Sequence, residues 1–448
     1  MKKKILSLLL VVALIATACL ALAACNDNND DDKNKPGGEL KGSVKIWWPG
    51  GSPTIEAAIN KAKTEYEAAH EGVTIDIATQ STADFYSSYT MALMNKDNFP
   101  DIAYVDHVFV QRLAYDGLIG NLSDYGADEV KDKFIDSLWS TTQFNGGTYA
   151  LPMSANVLTV AYNKALLTKV LGKEFTDADM PKNWDEYIAI GKKIEEYNTA
   201  NNLTGNNKLY LTTVPAGTGN ESMGAMFFMS YAARSGGRLM NDNLTAMELA
   251  TEQNKSAAAK IKQLGDLGYT PTSFSESKFE TGKVAFIEMG PWKLIDYSRI
   301  SASQKDICDI RYTNVFPLSS GGQTQGALGL YSLVMTKKTK NAALAADFIK
   351  YLTTSDEIQL AHNTVQNLMP TTKTAIANEY YQTAEWSVFI NQLNNIVARP
   401  GSAAWPAIQR SLAEYVTQLV TGDKNGVPDQ LDAIEIQLNE ALEDLEDE

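Results

Sequence analysis

The residues of this chain whose side chains could do chemistry are few and scattered. Its 3 histidines, His70, His107 and His362, stand far apart, with no pair at the short spacing a helix-borne metal site uses. Asp423-Lys424-Asn425-Gly426 resembles the start of a calcium loop but lacks the closing glutamate and the ligand spacing of an EF-hand, so it reads as a turn. No Gly-x-x-x-x-Gly-Lys phosphate cradle and no Gly-x-Ser-x-Gly elbow occurs. Asp106 and Glu221 could form an acid–base pair only if held about 5–10 Å apart, a spacing the sequence does not establish. Cys308, beside Ile307 and Ile310, reads as a small core residue. No cofactor and no metal are expected, and neither is an enzymatic activity.

The other two of the 3 cysteines belong to the N-terminal leader. Lys2, Lys3 and Lys4 precede an apolar run from Ile5 to Ala18, and Leu22-Ala23-Ala24 leads into Cys25. A charged start, a greasy middle and small residues before a cut describe a secretory signal. The cysteine at the cut resembles a bacterial lipobox, which implies residues 1–24 as a lipoprotein signal peptide and Cys25 as the lipidated N-terminus. Ala16-Thr17-Ala18-Cys19 fits less well, and an uncleaved anchor is the alternative, since the apolar run approaches the roughly 20 residues of a spanning helix. Residues 25–41, rich in Asp and Asn and holding Pro36-Gly37-Gly38, cannot bury apolar area and read as a disordered tether. With Cys19 removed and Cys25 lipidated, Cys308 has no disulfide partner within the chain.

Bulk properties narrow the class. At 448 residues the chain is long enough for two domains, and 44% hydrophobic with 21% charged residues is an ordinary globular profile. A formal net charge of −15 argues against nucleic acid and against electrostatic adsorption to an anionic membrane.

The elements that must position any site alternate. Val44 to Trp48 reads as a strand, and Ser52-Pro53 as the cap and first residue of a helix carrying Ile55, Ile59, Ala62 and Tyr66 on one face. Val73 to Ile77 is a second strand, a helix spans about 83–95, and residues 100–106 form a third strand, nearly continuous in apolar residues as in a sheet covered on both faces. Such a β-α-β-α-β series implies parallel strands, whose ligands bind beyond the carboxyl ends: here Trp48 to Ser52, and Asp106-His107. Strand alternation sends Trp47 and Trp48 in opposite directions, with Trp47 expected in the core and Trp48 or Ser52 facing the cleft. Further along, strands are expected at 150–152, 158–162, 209–214, 284–287 and 331–336. Helices are expected at 185–197, 221–234, 246–264 and 341–352, with everything after Glu379 helical.

Segments spread along the chain carry a resemblance. VKIWWPGG, FPDIAYVDHVFVQRLAYDGLIGNL, YALPMSANVLTVAYNKALL, PKNWDEYIAIGKKI, FETGKVAFIEMGPWKL, VFPLSSGG, NLMPTTK and RPGSAAWPAIQRSL follow one another in the order found in the extracellular solute-binding proteins of ABC sugar importers, the group that includes the maltodextrin-binding proteins. The resemblance runs from about Gly42 to about Gly422. It implies an α/β, two-lobed periplasmic-binding-protein-like fold with crossing hinge segments and a C-terminal helical region. The implied N-lobe is 41–153 with 316–352, and the implied C-lobe is 157–312 with 356–448.

The family's site residues carry over one at a time. Trp292, after Gly290-Pro291, stands where the family has a stacking aromatic, and Trp405 in SAAWPAI matches a second; an indole face suits the apolar C–H patch of a sugar ring. Asp106 stands where the family has polar sugar contacts, with a helix N-cap as its alternative role. Asn156 replaces the glutamate of maltodextrin binders, which weakens any preference for maltodextrins. Glu221 opens a Met-rich helix, either as a ligand contact or as favourable charge at a helix N-terminus. The implied function is capture of a small carbohydrate by hinge closure and delivery to the membrane subunits of an ABC permease. The protein is expected to be a monomer, lipid-anchored at the cell surface. A polyamine or peptide binder on the same fold, or a surface glycoside hydrolase, are the alternatives.

Overall fold

The computed structural model describes residues 37, 40–50, 52–80, 85–94, 98–319, 322–402, 404–422 and 430–446. The leader, Cys25, the tether apart from Gly37, Leu40 and Lys41, and the turn at 423–426 lie outside the described residues. Among the described residues no helix is long and apolar enough to cross a membrane.

Two sheets organise the molecule. In the first, strand Gly42–Pro49 lies between Val73–Gln80 and Ile102–Asp106 and runs parallel to both. This agrees with the β-α-β-α-β reading. Strand Gly326–Met335 joins antiparallel to Ile102–Asp106, pairs antiparallel with Ala150–Val157, and carries the short parallel strand Ile396–Ala398. Burial follows the pattern of residue types. Val44 and Ile46 are buried, residues 102–105 are covered on both faces, and residues 73–76 alternate buried and exposed. Helix Pro53–Ala69 lays Ile55, Ile59, Ala62 and Tyr66 on this sheet, and the Tyr66 hydroxyl donates to Asp347 at 2.7 Å, tying it to helix Ala342–Thr354.

The second sheet is ordered Ile310–Thr313, Thr159–Asn163, Val284–Met289, Tyr210–Thr212. The first three strands are antiparallel, and the last is parallel to Val284–Met289. Helices Trp184–Ala200, Glu221–Arg234, Glu252–Asp266 and Trp405–Thr421 share its core. The Trp184 indole N–H donates to Gln263 at 2.8 Å, joining two of them. The chain crosses between the sheets at Leu158, whose N–H donates to Ala327 O at 3.0 Å, again between 313 and 326, and again between 398 and 405.

Several elements depart from expectation. Residues 356–366, expected in the second lobe, form helix Asp356–Gln366 packed on helix Pro53–Ala69, and Ile396–Ala398 is a strand where only helix was expected. The buried face of Asp356–Gln366 is Ile358, Gln359, His362 and Asn363, mostly polar, so it does not read as a core stripe. The helix expected over 246–264 begins at Glu252, where Thr251 caps it by accepting from Asn254 N–H. Cys308 is fully buried, as expected, and burial pushes its thiol up to about 11.

Candidate functional site

A cleft of about 280 Å³ opens between the two sheets. From the first come Tyr104 and Asp106 at the end of strand Ile102–Asp106, Asn156, Gly329 and Tyr331 from the neighbouring strands, and Arg399 just past Ile396–Ala398. From the second come Trp292 and the first turns of helix Glu221–Arg234, through Ser222, Met223 and Met226. Gln366 and Leu368 complete the wall. The carboxyl-end rule for parallel strands thus finds Asp106.

Trp292 sits in a single turn, Pro291–Lys293, directly after strand Val284–Met289, and is half-buried. Its position depends on Gly290: a Cβ there would lie 1.9 Å from Cζ3 of the indole, so the ring rests on a glycine backbone. Facing strands supply a second aromatic unit, with Tyr104 and Tyr331 stacked at 5.1 Å between centroids and 13° between planes. Gly329 does for Asn156 what Gly290 does for Trp292. The two are opposite in register, and a Cβ at 329 would stand 2.2 Å from the Asn156 Oδ1.

The charged pair of the cleft is Asp106 and Arg399. Arg399 Nη2 donates to Asp106 Oδ1 at 2.7 Å; Arg399 is almost wholly buried, while the Asp106 side chain is 22% exposed. Burial pushes the Asp106 carboxyl up, but the Arg399 charge and the His107 hydrogen bond outweigh it and hold the group at about 2. His107 Nδ1 lies 3.0 Å from Leu330 O and 3.1 Å from Asp106 Oδ1. The two acceptors lie closer to Nδ1 than the Arg399 Nη2 donor, which is 3.4 Å away, and assign the proton to Nδ1. Burial and the Arg399 charge push the His107 pKa down, so the ring is neutral at pH 7. Asp106 and Arg399 therefore cancel, and among the described residues no other one lining the cleft carries formal charge.

The other expected site residues fall elsewhere. Trp405 is completely buried: its indole N–H donates to Gln409 at 3.2 Å, and its ring belongs to the core of the second sheet. It opens helix Trp405–Thr421, whose buried positions Trp405, Ile408, Leu412, Tyr415, Val416 and Leu419 form one stripe. Trp48 is 1% exposed, so the expected facing of the two tryptophans is reversed, with Trp47 only partly covered. Trp48 packs behind the cleft wall, 5.7 Å from Tyr104 and 4.8 Å from His362 between centroids. Burial lowers His362 to about 3. Ser52 occupies the N-cap of helix Pro53–Ala69 without a side-chain cap bond, outside the cleft lining. Glu221 is exposed and outside it too. Its carboxylate accepts from Gly219 N–H at 3.1 Å, and backbone hydrogen bonds hold its pKa below the usual range, the helix-terminus role. Asp106 stands at the N-cap of a short turn but makes no cap bond, because its carboxylate is turned to Arg399.

Sequence reasoning missed Arg399, Tyr104, Tyr331 and Gly329. A lone arginine ahead of Pro400-Gly401, directly after an apolar triplet, was the signal available for Arg399. Among the described residues no cluster of His, Cys, Asp and Glu could hold a metal ion.

Residues 61–387 match the family described as bacterial extracellular solute-binding protein. A binding protein of Brucella abortus is 24% identical over 406 residues, covering 88% of this chain and 90% of its own. The multiple sugar-binding protein of Streptococcus mutans is 22% identical, covering 75% of this chain and 76% of its own. Among solved structures, the cyclic alpha-maltosyl-1,6-maltose binding protein of Arthrobacter globiformis superposes with a TM-score of 0.76 at 21% identity, over 90% of this chain and all of that one. That superposition accounts for the two-lobed architecture, and with the match over residues 61–387 it follows that this chain belongs to the bacterial extracellular solute-binding proteins.

Proposed function

We propose that the chain captures a neutral saccharide in the cleft between its lobes and hands it to the membrane-spanning subunits of an ABC importer, tethered to the membrane by lipid on Cys25. The observation that carries the reading is the union, in one charge-neutral cleft, of Trp292 from one lobe with Tyr331, Asn156 and the Asp106–Arg399 pair from the other. An aromatic face takes the C–H side of a sugar ring, while an amide, a carboxylate and a guanidinium take its hydroxyls. A polyamine would need uncompensated carboxylates, and the one carboxylate that lines the cleft among the described residues is already paired. Hydrolysis would need a second carboxylate flanking the bond, and Glu221 stands outside the lining. The sugar specificities named for the Streptococcus and Arthrobacter relatives point the same way.

Closure follows from the division of the site between lobes. A ligand touching both sides stabilises the closed form by the contacts that form makes in excess of the open one. Titration with neutral mono- and oligosaccharides, followed by tryptophan fluorescence and small-angle scattering, should show saturable quenching or enhancement and a smaller radius of gyration. No response to any member of a broad panel would contradict the reading. Trp292→Ala should weaken binding by about 1–3 kcal/mol, roughly five- to 150-fold, without lowering the unfolding midpoint appreciably.

Gly290→Ala tests the same contact indirectly. The new Cβ displaces the indole, so binding should fall at least about tenfold although Trp292 is intact. An affinity unchanged in calorimetry would mean that the ring's resting place is immaterial.

A further inference from the structure

Arg399 lines the cleft, and two residues on, Gly401 and Ser402 line a second cavity of about 400 Å³. Gln111, five residues after Asp106, borders it too, packed against Gly401 and donating to Gln143 O at 3.1 Å. Residues 143–145 of the hairpin 143–148 line it, and so does the turn 243–245 from the other lobe. Among the described residues no side chain bearing formal charge lines it, in a chain of net charge −15.

The lining has its own chemistry. Tyr115, 42% exposed, and the half-buried Phe144 offer ring surface. Asn145 and Asn243, one from each of these segments, have exposed side-chain amides that make no hydrogen bond among the described residues. Both are held on left-handed turns. Asn145 has φ 45° before Gly146 in the hairpin, and Leu244 has φ 57° in a turn pinned by Asn241, whose Oδ1 accepts from Thr245 N–H at 2.9 Å. An ion would find no counter-charge here, and a purely apolar molecule would leave the amides unanswered. A group that both donates and accepts, on a skeleton with a C–H face, satisfies both features. We propose that this second cavity is a further binding site for a neutral saccharide, apart from the cleft that holds Trp292.

The test uses maltose, cellobiose and xylobiose, with stoichiometry from calorimetry and contacts from saturation-transfer NMR. The wild-type chain should bind at least one of these probes in two phases. Asn243→Trp fills the second cavity from an exposed turn and should abolish one phase while leaving the other within twofold. Asn243→Ala, the gentler change, should weaken that same phase at least fivefold. Trp292→Ala should do the converse, striking only the cleft. A single phase of unit stoichiometry, or two phases both indifferent to the Asn243 variants, overturns the second site. Two phases both indifferent to Trp292→Ala overturn the cleft reading instead, and no saturable binding at all overturns both.

Discussion

Truncating Trp405 to alanine should cost about 3–5 kcal/mol of unfolding free energy, the range for removing a fully enclosed aromatic side chain. The ring has no exposed surface and lies among Ile408, Leu412 and the partners of helix Glu221–Arg234, so its loss leaves a cavity that the surrounding helices can fill only in part. Urea unfolding followed by circular dichroism measures the effect. The contrast with Trp292 gives the prediction its force. Trp405→Ala should be severely destabilised yet bind ligand with little change at temperatures where it is folded, whereas Trp292→Ala should be stable and bind poorly. A Trp405→Ala protein of wild-type stability and reduced affinity would mean that this indole reaches the ligand, contrary to its burial here.

Replacing Arg399 by methionine should be nearly as costly. It strands the Asp106 carboxylate without its guanidinium partner, and breaking a buried pair costs about 3–5 kcal/mol; the 22% exposure of Asp106 argues for the lower end. The pH dependence has a definite sign. The folded-state pKa of Asp106 is depressed to about 2, so its contribution is present above the unfolded carboxylate value near about 3.9 and is lost as pH falls towards 2. In Arg399→Met the opposing charge is gone and burial raises the Asp106 carboxyl. The stability gap between wild type and variant should be widest near neutral pH and should narrow as pH falls below about 4. Paired unfolding curves at pH 7 and about pH 3 measure it, and a gap independent of pH would place the energetic role of Arg399 elsewhere than on Asp106.

What could be read from the sequence, and what could not, follows from the range of the interactions. Helix Glu221–Arg234 appears with its expected bounds, and the parallel strands of the first sheet appear because alternation and a two-sided apolar run are local signals. Trp292 was singled out through the resemblance; what is local is the Gly290-Pro291 turn that presents it. Trp405 was misplaced because the resemblance outweighed a local pattern: the apolar stripe of its own helix assigns it to the core. Alternation correctly separated Trp47 from Trp48 but cannot say which face of a strand is inside; that depends on His362 and Tyr104 arriving from distant segments. The Asp106–Arg399 pair spans 293 residues and leaves no local trace. Helix Asp356–Gln366 escaped because its buried face is held by hydrogen bonds, with Gln359 donating to Thr353 O at 2.8 Å and Asn363 donating to Met153 O at 3.0 Å. A hydrophobic period is silent where packing is polar.

The most direct measurement is a crystal structure of the protein with a saccharide selected by the titration. The account predicts a sugar ring lying flat against the indole of Trp292, its hydroxyls within hydrogen-bond reach of Asp106, Arg399 or Asn156, and the lobes closer together than without ligand. A sugar bound away from that ring, or bound there with Asp106, Arg399 and Asn156 all beyond contact, would contradict it.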